Sequence, residues 1–148
     1  MLANKRLIRV QWGDCDPAGI VFYPRYFEWL DASTILLFEK ATGLTKIRML
    51  EKFNGAGLAL LEARAVFKVA SHYGEDLEIE TRVTEFRRSS FFVEHRVRKG
   101  TVLALEGFET RLWTVRDRDD DNRLKSGALP REILAAFGAD VGMRPAGA

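Results

Sequence analysis

The chain has 148 residues, of which 47% are apolar and 30% charged, a composition that suits one globular domain able to bury its own core. A net charge of +2, with basic and acidic residues interspersed apart from Arg87-Arg88, offers no stripe for nucleic acid. Cys15 is the one cysteine, which excludes an internal disulfide and a cysteine-cluster zinc site. No apolar run approaches the ~20 residues needed to cross a membrane, and the first six residues lead into no signal-peptide h-region. The expectation is a single cytoplasmic domain over residues 1–148, an enzyme or a binding module, with no membrane or nucleic-acid partner.

Ile8, Val10 and Trp12 alternate with Arg9 and Gln11, the period of a first strand. A loop with two glycines and Pro17 follows, from Gly13 to Tyr23. Pro24 opens a segment to about Ala41 that holds no glycine or second proline. In it Phe27, Leu30, Thr34, Leu37, Phe38 and Ala41 recur at spacings of three and four, while Tyr26, Trp29, Ile35 and Leu36 make much of the remaining surface apolar. This predicts a long buried helix, with Gly43 as its stop. A weaker helical stretch covers about Thr45 to Phe53, ahead of Gly55 and Gly57.

Beyond Gly57 the period changes to two. Ala63, Ala65, Phe67 and Val69 alternate with charged residues, as do Leu77, Ile79, Thr81 and Val83, and then Phe91, Val93, His95 and Val97. A fourth run extends from Val102 to Val115, with Gly107 expected at a bulge or bend. Such alternation denotes antiparallel strands with one covered face. The acidic run Asp117 to Arg123 reads as a solvated turn, without the ligand spacing of a calcium loop, and a short helix is expected near Pro130 to Phe137. A long antiparallel sheet must cover its apolar face. The buried helix is the one segment long enough to do so. The predicted class is α+β, an antiparallel sheet wrapped around a long central helix, the hot-dog arrangement. An open sheet with the helix lying across one face is harder to reconcile with so apolar a helix.

The loop between first strand and helix carries Asp14, Cys15 and Asp16. Pro17 biases Asp16 toward an extended conformation, and Gly19 permits a left-handed turn. Pro24 suits the first helical position. The first helical turn then leaves N–H groups around Tyr23, Arg25 and Tyr26 without helical partners, a site for developing negative charge. A carboxylate beside such donors is what thioester hydrolysis requires: the acid attacks the carbonyl or deprotonates water, and fixed donors hold the oxyanion. Asp16 is the candidate carboxylate and the Tyr23 N–H the candidate oxyanion donor. The competing use of Asp16 is to order the turn through an Asx-type hydrogen bond.

The stretch Gly13-Asp14-Cys15-Asp16-Pro17-Ala18-Gly19-Ile20-Val21-Phe22-Tyr23-Pro24, continuing through Tyr26, Trp29, Leu30, Asp31 and Ala32, resembles the signature of 4-hydroxybenzoyl-CoA thioesterases. It is also similar to the wider acyl-CoA thioesterase group. Glu85-Phe86-Arg87-Arg88-Ser89-Ser90-Phe91 is a second match, and the element order agrees over most of the chain. The resemblance implies an acyl-CoA substrate and no cofactor, coenzyme A being part of the substrate. It implies that Asp16 is nucleophile or base, that the Tyr23 N–H polarises the thioester carbonyl, and that Asp31 binds a phenol hydroxyl. It further implies that Arg87 and Arg88, with Ser89 and Ser90 beside them, contact the coenzyme A phosphates, and that the protein is a homo-oligomer, a dimer or tetramer of hot dogs with sites at subunit interfaces.

Two departures bear on substrate. Ser89 stands where the family has lysine, and Gly57-Leu58-Ala59-Leu60 stands where it has threonine and proline after the glycine. Leu58 would make an acyl pocket more apolar, whereas Asp31 suits a hydroxylated ring. Asp31 has the alternative of pairing with an arginine, and Arg87-Arg88 that of a solvated turn. An aromatic acyl group is the first expectation, a short or branched aliphatic one the second, and a non-catalytic acyl-CoA-binding domain the rival from another class. His95, on the apolar side of its strand, is read as a hydrogen-bonded core residue, and His72 as exposed. No serine-hydrolase elbow, dinucleotide motif or metal set is expected.

Overall fold

The computed structural model describes residues 2–142 and 144–147. Strand β1 (Asn4–Arg9) is followed by helices α1 (Pro24–Thr42) and α2 (Lys46–Lys52). Strands β2 (Gly57–Phe67), β3 (Asp76–Phe86), β4 (Ser90–Lys99), β5 (Val102–Arg116) and β6 (Leu124–Ser126) come next, and then helix α3 (Arg131–Ala136). The strands form one antiparallel sheet in the order β1-β3-β4-β5-β2, with the short β6 also on β5. Helix α1 packs against β3 and β1, and its C-terminal half is closed by α2 and α3. This is the hot-dog arrangement that the alternation and the long helix predict.

Of the period-two runs, those in β3 and β4 face the core as read, whereas the run through Ala63, Ala65, Phe67 and Val69 is largely exposed because β2 is an edge strand that α1 does not cover there. Leu77, Ile79, Thr81 and Val83 of β3 are buried, as are Phe91, Val93, His95 and Val97 of β4. Trp12 departs from expectation: β1 ends at Arg9, and Trp12 lies exposed in a 3-10 turn over Trp12–Asp14. Helix α1 is one-sided in the single chain, burying Tyr26, Leu30, Ser33, Thr34, Leu37 and Phe38 while Phe27 is half-buried and Leu36 exposed. Its C-terminus is capped as predicted, Gly43 taking the left-handed conformation (φ 72°) and donating its N–H to the Glu39 carbonyl at 2.9 Å. Thr45 caps α2, its hydroxyl accepting the Arg48 N–H.

Gly107 marks no bulge. Its pairing with Ala65 on β2 and His95 on β4 is continuous, and the register shifts fall at Leu60/Glu62, Val83/Glu85 and Val97/Arg98. The glycine serves close approach instead: a Cβ there would stand 2.6 Å from Leu30 Cδ1 and 3.4 Å from the His95 Cβ. Leu30 is itself fully buried and cannot swing away without disturbing its neighbours. Gly107→Ala is therefore expected to cost about 1–3 kcal/mol by overpacking, read as a lower urea midpoint with little change in slope. An unchanged midpoint would show that α1 has room to move.

Candidate active site

The acid-bearing loop is tightly built. Its walls are joined by an antiparallel bridge between Cys15 and Val21. The Asp16 N–H donates to the Ile20 carbonyl and the Gly19 N–H to the Asp16 carbonyl, both at 2.9 Å, with Gly19 at φ 83°. Asp16 Oδ1 accepts the Ala18 N–H at 2.8 Å. The Asx-type turn is thus present, and it occupies one oxygen. Oδ2 has no hydrogen-bond partner among the described residues. The half-buried carboxylate borders a cavity of about 310 Å³, with Trp12, Cys15, Pro17 and Tyr73. Asp14 is committed to the loop itself: its Oδ2 accepts the Gln11 N–H and its carbonyl the Phe22 N–H, both at 2.8 Å.

At the entry to α1, the expected set of free donors narrows to one. The Arg25 N–H bonds the Phe22 carbonyl at 2.9 Å and the Tyr26 N–H bonds the Tyr23 carbonyl at 3.1 Å, because the first turn is tightened by short i to i+3 bonds. The Tyr23 N–H has no acceptor among the described residues. Pro24 at the first helical position brings no N–H of its own. Tyr23 borders a second, mainly apolar cavity of about 220 Å³, with Val21, Tyr26, Phe67 and Ser71. A carboxylate with one open oxygen and a helix-entry N–H with no acceptor therefore lie seven residues apart on one rigid segment, which is pinned to the core by Val21 N–H donating to the Ser71 carbonyl at 2.9 Å.

The other predicted residues fall elsewhere. Arg87, Arg88 and Ser89 form the β3–β4 turn and Ser90 opens β4. The Arg87 guanidinium lies 5.0 Å from the Phe92 ring centroid and 3.6 Å from Glu85, and both arginines are exposed. The turn is anchored through its backbone, with the Arg88 carbonyl accepting from Leu129 N–H and the Ser89 carbonyl from Trp113 N–H. Leu58 points its side chain into the core, 6% exposed, among Leu37, Phe38 and Trp113. Asp31 pairs with Arg111 at 2.7 Å and keeps 59% of its side chain exposed.

Arg111 belongs to a buried polar cluster that the sequence reading did not single out. Its Nε and Nη2 donate to the two oxygens of Glu109 at 3.0 and 3.1 Å, and its Nη1 to the Leu58 carbonyl at 3.0 Å. Thr34 Oγ1 donates to Glu109 Oε1 at 2.6 Å, and His95 Nε2 lies 3.4 Å from the same oxygen. Thr81 and His95 Nδ1 share a hydrogen bond at 2.8 Å, so His95 is the bonded core residue that its position predicts. The available signal was periodicity: Leu105, Gly107, Glu109, Arg111 and Trp113 share the inward face of β5, and two charges on such a face must be paired. Among the described residues no cluster of potential ligands could hold a metal ion, and the Asp117–Arg123 run is a turn closed by its own hydrogen bonds.

An antiparallel sheet with a long helix across it, and an acid-bearing loop leading into that helix, define the hot-dog class of protein. A family model described as the thioesterase-like superfamily matches residues 10–137. The chain is 34% identical over 132 residues to the 4-hydroxybenzoyl-CoA thioesterase of Pseudomonas sp. (strain CBS-3), which covers 85% of this chain and 91% of that protein. The solved structure of the 4-hydroxybenzoyl-CoA thioesterase from that strain matches with a TM-score of 0.84 at 30% identity, over 92% of this chain and 99% of that one. Similarity extends to the acyl-CoA thioesterase YbgC of Haemophilus influenzae, 27% identical over 132 residues, 88% of this chain and 90% of that protein. The chain belongs to the thioesterase-like superfamily and is a thioester hydrolase.

Burial would by itself raise the Glu109 carboxyl, but the hydrogen bonds and charges of His95 and Arg111 outweigh it and hold the value near about 2, against 4.5 for an ordinary glutamate. A folded-state value below the unfolded one stabilises the fold above about pH 4.5, and that contribution is lost as the pH falls through about 2. Between about pH 5 and 2 the native protein is expected to lose roughly 3 kcal/mol more than a Glu109→Gln variant, itself less stable at neutral pH. Parallel stability–pH curves from urea melts would remove Glu109 as an ionised buried group.

Proposed function

We propose that this chain hydrolyses an acyl-CoA to a free acid and coenzyme A, with an aromatic acyl group such as 4-hydroxybenzoyl as the first choice. The observation that carries the reading is that one pinned segment presents both an open Asp16 Oδ2 and, at the start of α1, an unbonded Tyr23 N–H. Asp16 adds to the thioester carbon, or takes a proton from the water that does. The carbonyl oxygen becomes negative and is held by the Tyr23 N–H, whose peptide dipole is aligned with the 19-residue helix behind it. The C–S bond then breaks and coenzyme A leaves as a thiolate that is protonated; where water was the attacking group the free acid is complete, and where Asp16 was, water cleaves the mixed anhydride to release the acid and restore the Asp16 carboxylate.

Asp16→Asn is expected to lower kcat by about 10²- to 10⁴-fold, measured by thiol release from 4-hydroxybenzoyl-CoA, while acyl-CoA binding survives. Near-normal turnover would eliminate Asp16 as the reactive carboxylate. A panel that includes benzoyl, acetyl and isobutyryl esters separates the aromatic from the aliphatic alternative; Leu58, buried in the core, favours neither. No turnover of any ester would point to a binding domain.

Arg87 and Arg88 are assigned to the coenzyme A phosphates, for which exposed guanidinium groups are suited. They follow β3 at Phe86, whereas the Asp16 loop hangs at the opposite end, where Val10 N–H bonds the Glu75 carbonyl. Ten residue steps of about 3.3 Å put those ends roughly 33 Å apart. One substrate meets both features most directly when the two come from different copies of the chain. The free edge of β2 supports the same reading: it pairs with β5 on one side alone and exposes Leu60, Leu61 and Phe67. Light scattering is expected to give two or four times the 16.8 kDa chain mass. A monomer that retains full activity would overturn the shared site.

A further inference from the structure

We propose that Trp12 and Tyr73 form the wall that receives the acyl group, and that they select aromatic acyl groups over aliphatic ones. This deepens the function proposed above and rests on Asp16 being the reactive carboxylate. What it adds is the place of the acyl ring, against two aromatic side chains that the fold holds out beside that acid.

Both rings are built into position. Val10, fully buried, donates its N–H to the Glu75 carbonyl and accepts the Gly74 N–H, each at 2.9 Å, so the chain after β1 is tied to the turn before β3. Trp12 comes just after that tie and Tyr73 just before it. The 3-10 turn that carries Trp12 is closed by the Cys15 N–H on the Trp12 carbonyl at 3.2 Å, and by Asp14, whose N–H bonds the Gln11 carbonyl at 3.1 Å and whose Oδ2 accepts the Gln11 N–H at 2.8 Å. On the other side Gly74 turns at φ 84°. Glu75 Oε1 accepts the His72 N–H at 2.9 Å, while Lys99 Nζ holds Oε2 at 2.8 Å. The two rings meet edge to face, with centroids 5.6 Å apart and an interplanar angle of 90°. Their geometry is set before any ligand arrives.

Core packing does not explain the pair. Trp12 is 76% and Tyr73 59% exposed, so neither buries much apolar surface in the fold. What they do border is the cavity of about 310 Å³ that Asp16 also lines, and Asp16 Oδ2 is open. The thioester carbon must come within about 3–3.5 Å of that oxygen, or of a water it holds. The acyl group hangs on that carbon, so it lies over this cavity, whose large side chains are Trp12 and Tyr73. Asp16 does not border the second cavity beside Tyr23. An aromatic acyl group laid against the pair buries apolar surface and adds offset or edge-to-face contacts with two rings. A short aliphatic acyl group gains burial alone, and less of it.

The test is the ratio of kcat/KM for benzoyl-CoA to that for isobutyryl-CoA, measured in the full chain and in variants at these exposed positions. Trp12→Leu and Tyr73→Leu are each expected to lower the ratio about 3- to 10-fold, and Trp12→Phe, which keeps a ring, to retain most of it. A disturbed Asp16 loop or a loss of stability would reduce both rates together. An unmoved ratio in the two leucine variants therefore overturns the wall and leaves Asp16 in its role. A ratio that falls in Phe67→Leu instead puts the acyl ring in the second cavity, and overturns the wall likewise. Light scattering of the same variants separates a wall from a subunit contact: a mass that drops along with the ratio makes the pair a contact between copies, against the proposal. Failure of the underlying reading looks different. Near-normal turnover in Asp16→Asn removes the reactive carboxylate and the wall with it, and a wild-type preference for isobutyryl-CoA overturns the aromatic selection outright.

Discussion

Leu30 of α1 packs where β5 carries Gly107, and that contact determines how close helix and sheet lie. The buried polar cluster depends on the same distance. Thr34, one turn further along α1, reaches Glu109 at 2.6 Å only because the helix lies this near. Through Glu109 the helix is tied to Arg111, and through Arg111 back to its own Asp31. Apolar packing and a closed polar circuit thus enforce one helix position, the first by volume and the second by direction. Both agree, which is how a fold acquires a single arrangement.

That position also decides what the N-terminus of α1 offers. The Asp16 loop is short and cross-bonded, so it follows the helix entry as a unit. The first turn consumes the Arg25 and Tyr26 donors locally and leaves the Tyr23 N–H. One free donor is a sharper feature than three. It defines a direction of approach along the helix axis, where peptide dipoles add.

Long-period features were legible from the residues alone. Alternation in β3 and β4 identified the inward face, and the helix was found with its Gly43 cap, because periods of two and near four follow from the backbone geometry of strand and helix. The loop motif also offered Asp16 and Tyr23 as candidates, and their roles belong to the proposed function. Misreadings came where a residue answers to a distant neighbour. Trp12 continues the alternation of β1 but follows the end of its pairing, and Gly107 looked like a bend because glycine in a strand usually marks one.

What the sequence by itself determined is the α+β class, the order of the elements and the loop carrying the acid, since these depend on local period and on residue types within a few positions of one another. What only the tertiary structure decided is the company each charge keeps. Asp31, Glu109 and Arg111 are separated by up to 80 residues, yet one guanidinium joins them. Hydrogen bonds act over about 3 Å. No pattern along the chain states which strand and helix will bring a given donor and acceptor within that reach.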